Sequence, residues 1–256
     1  MATALLLIVG GFVIASIAMS IGIGGGIFWV PFLLALGLKN PAVVVPTALL
    51  IQVVGKGVGS VYNVLKQKEI DWKTVLITFI AGIIGVVIGS YLLYRTSLAS
   101  NLPLFAEILG IIVFVVLSLV TGMIFSNASA PNEEGDRNLR WFSLSSALFS
   151  VATGAFGTGT DDYIVPVAQL ISGEKSSKVI GSSIFSMWLL AIVAVLIHTL
   201  GFSGKINLTY FIWGGVGVVI GALFGSLVVR KWDIRIPRVL ASVILLIEGI
   251  WLVLHF

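Results

Sequence analysis

The sequence predicts an all-α polytopic membrane protein made of two inverted-topology repeats, each a glycine-broken, re-entrant-type helix pair followed by three transmembrane helices. Three observations carry this reading. Of 256 residues, 58% are hydrophobic and 10% charged, and the mean hydropathy is +1.13, far beyond what the core of one soluble domain absorbs. An apolar run breaks at Gly22-Ile23-Gly24-Gly25-Gly26, and the break recurs 135 positions later as Gly157-Thr158-Gly159-Thr160-Asp161-Asp162. The lysines and arginines, finally, gather in loops that one topology places on one side of a membrane.

The apolar stretches are 2–20, 42–65, 74–94, 103–125, 141–156, 179–200, 208–229 and 238–255. At ~1.5 Å per helical residue most are long enough for roughly 30 Å of hydrocarbon. Alternating strands of a barrel are not visible. The first stretch lacks the basic start of a signal peptide, and its continuation through the break is matched at 141–166, so it reads as structure. Half-helices at 27–37 and 162–172 complete the two broken pairs; eleven residues span only about 16 Å and can stop at mid-depth. An offset of 135 aligns Gly22, Gly24, Val30, Pro31 and Val44 with Gly157, Gly159, Val165, Pro166 and Val179. After one inserted residue, Gly85, Gly89 and Ser90 align with Gly221, Gly225 and Ser226. Residues 126–140 form the extended polar stretch, which divides the chain into a first repeat (1–125), a linker and a second repeat (141–256).

Orientation follows from the basic residues. If each broken element crossed the membrane once, they would split almost evenly. If it enters and returns, Lys66, Lys68, Lys73, Arg137, Arg140, Lys175, Lys178, Arg230, Lys231, Arg235 and Arg238 fall on one side, and Lys39, Arg95 and Lys205 on the other. Basic loops stay cytoplasmic, which favours the re-entrant version, a cytoplasmic linker and both termini outside. Each half then crosses an odd number of times, and the repeats are inverted.

Several functions are excluded or disfavoured. The chain has no cysteine, and His198 and His255 make no ligand-spaced pair, so neither thiolate nor histidine metal chemistry is indicated. The net charge of +4 comes from residues flanking membrane segments, not from a nucleic-acid stripe. The glycine turn at 22–26 does not complete a dinucleotide fingerprint, and no Walker motif exists. Ser182 or Ser183 would stand about 23 Å from His198 along one helix, out of reach of a dyad. No cofactor and no catalysis are expected.

The broken turns are the candidate site. Helix starts at Gly26 and Asp161 leave backbone amides without intrahelical partners, an arrangement suited to an anion. Gly24, Gly25, Gly26, Gly157, Thr158, Gly159 and Thr160 are therefore candidate substrate ligands. Close helix packing is the better reading for Gly82, Gly85, Gly89, Gly214, Gly217, Gly221 and Gly225. Thr47, Ser182 and Ser183 offer hydroxyls at equivalent places near the next helix start, for substrate or for their own backbone. Pro31 and Pro166 more naturally shape their half-helices. Lys56 could neutralise an anion or pair with an acid of the other repeat; Asp161 and Asp162 could cap a helix or take a coupling proton or cation. Glu107 and Glu248 have no repeat partner.

The run Gly22-Ile-Gly-Gly-Gly-Ile-Phe-Trp-Val-Pro-Phe-Leu-Leu-Ala-Leu-Gly37, with Pro46-Thr-Ala-Leu49 and Ile70-Asp71-Trp72, resembles the TauE/SafE sulfite exporter family. The resemblance extends over the chain, its second copy lying in Gly157–Pro166, Gly181–Ile184 and Gly221–Ser226. It implies transport of small sulfur-containing anions such as sulfite, sulfonates or sulfoacetate across a bacterial-type cell (inner) membrane. Ala48, Thr160, Asp161 and Lys56 depart from the family pattern and imply an altered charge balance in the pocket.

The function read from the sequence is a secondary transporter of such an anion, coupled to a proton or ion gradient, with the lipid bilayer as its other partner. A passive anion channel, or a transporter of another carboxylate or oxyanion, stays open beside it.

Overall fold

The computed structural model describes residues 1–62, 70–125, 139–172 and 176–256, and every regular element among them is helical. The helices are α1 (Ala2–Ile21), α2 (Gly26–Ala35), α3 (Pro41–Tyr62), α4 (Trp72–Arg95), α5 (Leu102–Phe125), α6 (Leu139–Phe156), α7 (Asp161–Ser172), α8 (Ser176–Leu196), α9 (Leu208–Leu227) and α10 (Arg235–His255). Among the described residues, seven helical stretches are long and apolar enough to cross a membrane; α2 and Ser143–Phe156 are shorter apolar helices. The protein is an all-α polytopic membrane protein. The predicted linker falls almost wholly outside the described residues, as do Lys66, Lys68, Arg137 and Lys175.

The two breaks have one geometry used twice. α1 ends where Gly22 turns to φ 76° and its amide closes on Ala18 O at 2.9 Å; α6 ends where Gly157 turns to φ 69° and its amide closes on Thr153 O at 3.0 Å. That left-handed conformation is open to glycine without a Cβ penalty. Helix resumes with Trp29 N donating to Gly25 O (2.9 Å) and, 135 positions later, Ile164 N donating to Thr160 O (3.1 Å).

Boundaries differ from the expected ones for local reasons. α2 ends at Ala35 instead of 37, because Gly37 adopts φ 91° and the amides of Gly37 and Leu38 fold back on Leu34 O and Leu33 O. α4 starts two residues early because the Asp71 carboxylate accepts from Lys73 N and Thr74 Oγ1. Asn207 caps α9 in the same way through Tyr210 N. α8 continues beyond Leu196 as a π-helical turn, Ile197–Gly201.

Packing runs between the halves. α1 lies on α9 and α4 on α6, while α3 packs on α8 and α5 on α10. The first two contacts are backbone to backbone. A Cβ at Gly85 or Gly89 would overlap the carbonyls of Ala147 and Val151, and one at Gly221 or Gly225 those of Phe12 and Ser16. Trp29, Phe28, Leu33, Leu49 and Phe105 fill the interior, and Leu5, Leu76, Ile80, Ile84, Ile111 and Ile247 point outward, an apolar surface that suits lipid.

Candidate functional site

The two glycine turns meet at the centre of the bundle. A Cβ on Gly24 would stand 2.9 Å from Gly159 Cα, and one on Gly159 would stand 3.0 Å from Gly24 Cα. The inter-helix crossings bring both turns to this point, and only residues without side chains let them touch.

One ammonium and two carboxylates surround the junction. Lys56 of α3 reaches across to α7, its Nζ 2.7 and 2.8 Å from the two carboxylate oxygens of Asp161. The side chains are 1% and 0% exposed, so removing either partner would strand a buried charge at a cost of about 3–5 kcal/mol. Lys56 thus pairs with the other half, one of the two roles its position suggested. Asp162, also buried, accepts from Gly159 N at 2.5 Å through Oδ2. Its Oδ1 lies on the Gly24 side. Two carboxylates against one ammonium leave the junction one negative charge in excess when both acids are ionised.

Four further side chains complete the junction, Gln52, Met187, Ser150 and Thr153, none of which the sequence pattern had singled out. Gln52, one turn before Lys56 on α3, donates to Gly157 O at 2.8 Å and so ties α3 to the second bend. Met187 Sδ of α8 accepts from Thr160 N at 3.3 Å. The Thr160 hydroxyl lies 2.8 Å from both Ser150 Oγ and Thr153 Oγ1 of α6. The i, i+4 spacing of Gln52 and Lys56 was the legible signal for the first; serine and threonine at three-residue spacing ahead of the bend was the signal for the last two.

The two helix starts are not alike. The amides of Gly25, Gly26 and Ile27 open α2 with no carbonyl four residues back inside the helix. A cavity of about 10 Å³, the room of one water molecule, lies there between Gly25, Trp29, Gln52, Gly55 and Lys56. At the α7 start, Gly159 N, the counterpart of Gly24 N, donates to the chain's own Asp162 carboxylate, and Thr160 N, the counterpart of Gly25 N, to the Met187 sulfur. Gly26 packs directly against Gly157 O. Thr158 is buried, its hydroxyl beside that of Tyr163.

The remaining candidates lie differently. Thr47 Oγ1 donates to Val43 O at 2.6 Å and accepts from Asn207 N at 3.0 Å. Ser182 Oγ accepts from Asp71 N at 2.9 Å. Both hydroxyls hold the opposite half's helix cap, at positions matched by the repeat. Ser183 is buried beside Ser182. His198 contacts Ser90 Oγ (3.3 Å) and Tyr94 OH (3.2 Å) instead of Ser182 or Ser183. Glu107 is exposed on α5, and Glu248 has one carboxylate oxygen buried without a partner.

Charged side chains buried beside two broken helices in the middle of a polytopic bundle point to a transport site. The family model described as Sulfite exporter TauE/SafE matches residues 7–252, and the chain belongs to that family. It is 26% identical over 272 residues to the probable membrane transporter protein YunE of Bacillus subtilis (strain 168), a match covering 97% of this chain and 96% of that protein. No solved structure matches the chain.

Proposed function

We propose that the protein is a secondary transporter that moves a small sulfur-containing anion, of the sulfite, sulfonate or sulfoacetate type, with a proton as coupling ion. The observation that carries this reading is the division of one cation between two acids: Lys56 is held by Asp161, while Asp162 beside it has no cationic partner of its own among the described residues. Lys56 also borders the cavity at the start of α2. An anion entering there would meet the amides of Gly24, Gly25 and Gly26 and the Lys56 ammonium. Lys56 cannot fully neutralise both the anion and Asp161. Binding of the anion therefore leaves more of the negative charge of the Asp161–Asp162 pair uncompensated, which a proton then offsets. Anion and proton load together because each compensates the other.

In the same reading Gly157, Thr158, Gly159 and Thr160 form the opposing wall. Contact between Gly24 and Gly159 supports alternating access over a passive channel, since the middle of the pathway is closed by backbone. The reciprocal packing of α1 on α9 and α4 on α6 supports inverted repeats, with the basic loops and the linker cytoplasmic.

The test is uptake into proteoliposomes of labelled sulfite, sulfoacetate, isethionate and acetate, with and without an inward proton gradient. Concentrative uptake of a sulfur anion that collapses on adding a protonophore is expected. Flux that follows voltage alone would establish the channel, and uptake of acetate in preference to all three sulfur anions would overturn the substrate class.

A further inference from the structure

Gln52 carries an acceptor that the protein leaves unused at the start of α2. The side chain is 3% exposed, and its amide nitrogen is committed to two carbonyls, Gly157 O at 2.8 Å and Ala48 O at 3.4 Å. Those acceptors fix which end of the amide is nitrogen and which is oxygen. Oε1 is buried and has no hydrogen-bond partner among the described residues, a costly state for a carbonyl oxygen. Gln52 also lines the cavity at the α2 start, together with Gly25 and Lys56.

The second half shows how the same place is closed. Offset by 135, Met187 stands for Gln52 and Thr160 for Gly25, and Met187 Sδ accepts from Thr160 N at 3.3 Å. No such bond joins Gly25 N to Gln52. Ser150 and Thr153, whose hydroxyls hold that of Thr160 at 2.8 Å, stand for Ala15 and Ala18. Ala15, Ala18 and Gly25 all line the cavity. The volume that the second half fills with a hydroxyl of its own is therefore left open in the first, between an amide donor, a carbonyl acceptor and an ammonium.

We infer that Gln52 is a specificity-determining residue, selecting anions that carry a hydrogen-bond donor, an alcohol hydroxyl or a protonated acid group, besides their charged oxygens. The inference rests on the anion-transport reading above and narrows its substrate class. A hydroxyl in this space accepts from Gly25 N and donates to Gln52 Oε1, while the charged oxygens face Lys56. At about 10 Å³ the closed cavity admits the hydroxyl or one water molecule, and the rest of the anion requires the walls to part. An anion without a donor displaces the water and leaves Oε1 unpaired, which loses affinity. Ile14, Met19, Trp29 and Val218 supply apolar wall for the short carbon chain between the two groups.

The test compares anions that differ by one hydroxyl. Wild type and Gln52→Met are reconstituted in proteoliposomes, and initial uptake below saturation is read for isethionate against ethanesulfonate and for glycolate against acetate. Isethionate should enter wild type about tenfold faster than ethanesulfonate, and in Gln52→Met the ratio should fall to about one. An apolar pocket would favour ethanesulfonate, the less costly to dehydrate. A wild-type ratio at or below one would therefore overturn the role, and so would a tenfold ratio that survives in the variant. Should Gln52→Met fail to fold, 2-methoxyethanesulfonate, which keeps the oxygen and lacks the donor, supplies the second comparison in wild type; uptake as fast as that of isethionate would overturn the role. The ratios need no proton gradient, so they stand whether or not transport is coupled. If the carboxylates alone enter, the sulfur-anion class falls and the glycolate-to-acetate ratio decides the role of Gln52, about tenfold supporting it and about one overturning it. Uptake of none of these anions would overturn both readings.

Discussion

Gly24 and Gly159 occupy each other's side-chain space: the Cα of each lies about where the Cβ of the other would press. Alanine at either position must displace the Asp161 carboxylate and press against the opposite backbone where the two bends meet. Gly24→Ala and Gly159→Ala should each cost about 1–3 kcal/mol, as overpacking does in a tight core. Thermal unfolding in detergent measures this, with Gly201→Ala as the control, since nothing stands within 4 Å of a Cβ there. Equal melting temperatures for Gly24→Ala and wild type would contradict the contact.

The Lys56–Asp161 pair predicts a non-additive series. Lys56→Met strands Asp161 in a dry interior and should destabilise by about 3–5 kcal/mol, whereas Lys56→Met/Asp161→Leu removes both charges and should recover most of that loss. Transport should be absent from both variants, because the recovered fold lacks the cation that receives the anion. Thermal unfolding and sulfoacetate exchange separate the two effects. An active double variant would leave Lys56 with a structural role alone.

Asp162→Asn keeps an oxygen for the Gly159 amide and removes the excess charge. Anion exchange should persist at a reduced rate, while a proton gradient should no longer drive accumulation. The measurement is the ratio of uptake with and without an inward gradient, expected to fall to about one, since a neutral side chain offers no proton site. Retention of the wild-type ratio would move the coupling role to Asp161.

Much of this was legible in the chain because glycine punctuates a membrane sequence strongly. The recurrence of Gly22 and Gly157, with proline five residues into each half-helix, sufficed to place both bends and both short helices to within one or two residues. Lys56, Asp161 and Asp162 declared themselves because a charge in an apolar run needs a reason. Gln52, Ser150 and Thr153 did not, because neutral polar side chains are common in membrane helices and their importance depends on which helix they face. The pairing of α3 with the second bend comes from packing over a separation of 105 residues, which no local pattern encodes. Thr47 and Ser182 show the reverse case: the repeat marked them as equivalent, yet equivalence alone did not tell a substrate contact from a cap.

That distinction is open to experiment. Thr47 Oγ1 both donates to Val43 O and accepts from Asn207 N, so its hydrogen-bonding capacity is used within the protein. Thr47→Val keeps the shape and leaves the Asn207 amide without its acceptor, at a cost of about 1–3 kcal/mol. Thr47→Ser keeps the hydroxyl and should restore most of the stability. Ser182→Ala should behave like Thr47→Val, since it strips the Asp71 amide in the matching place. Because these losses fall on the entry to α9 and α4, the melting temperature should drop while the KM for sulfoacetate in the surviving protein stays near wild type. A raised KM with an unchanged melting temperature would instead put the two hydroxyls in the anion's path, and the site would then extend from the glycine junction to both helix caps.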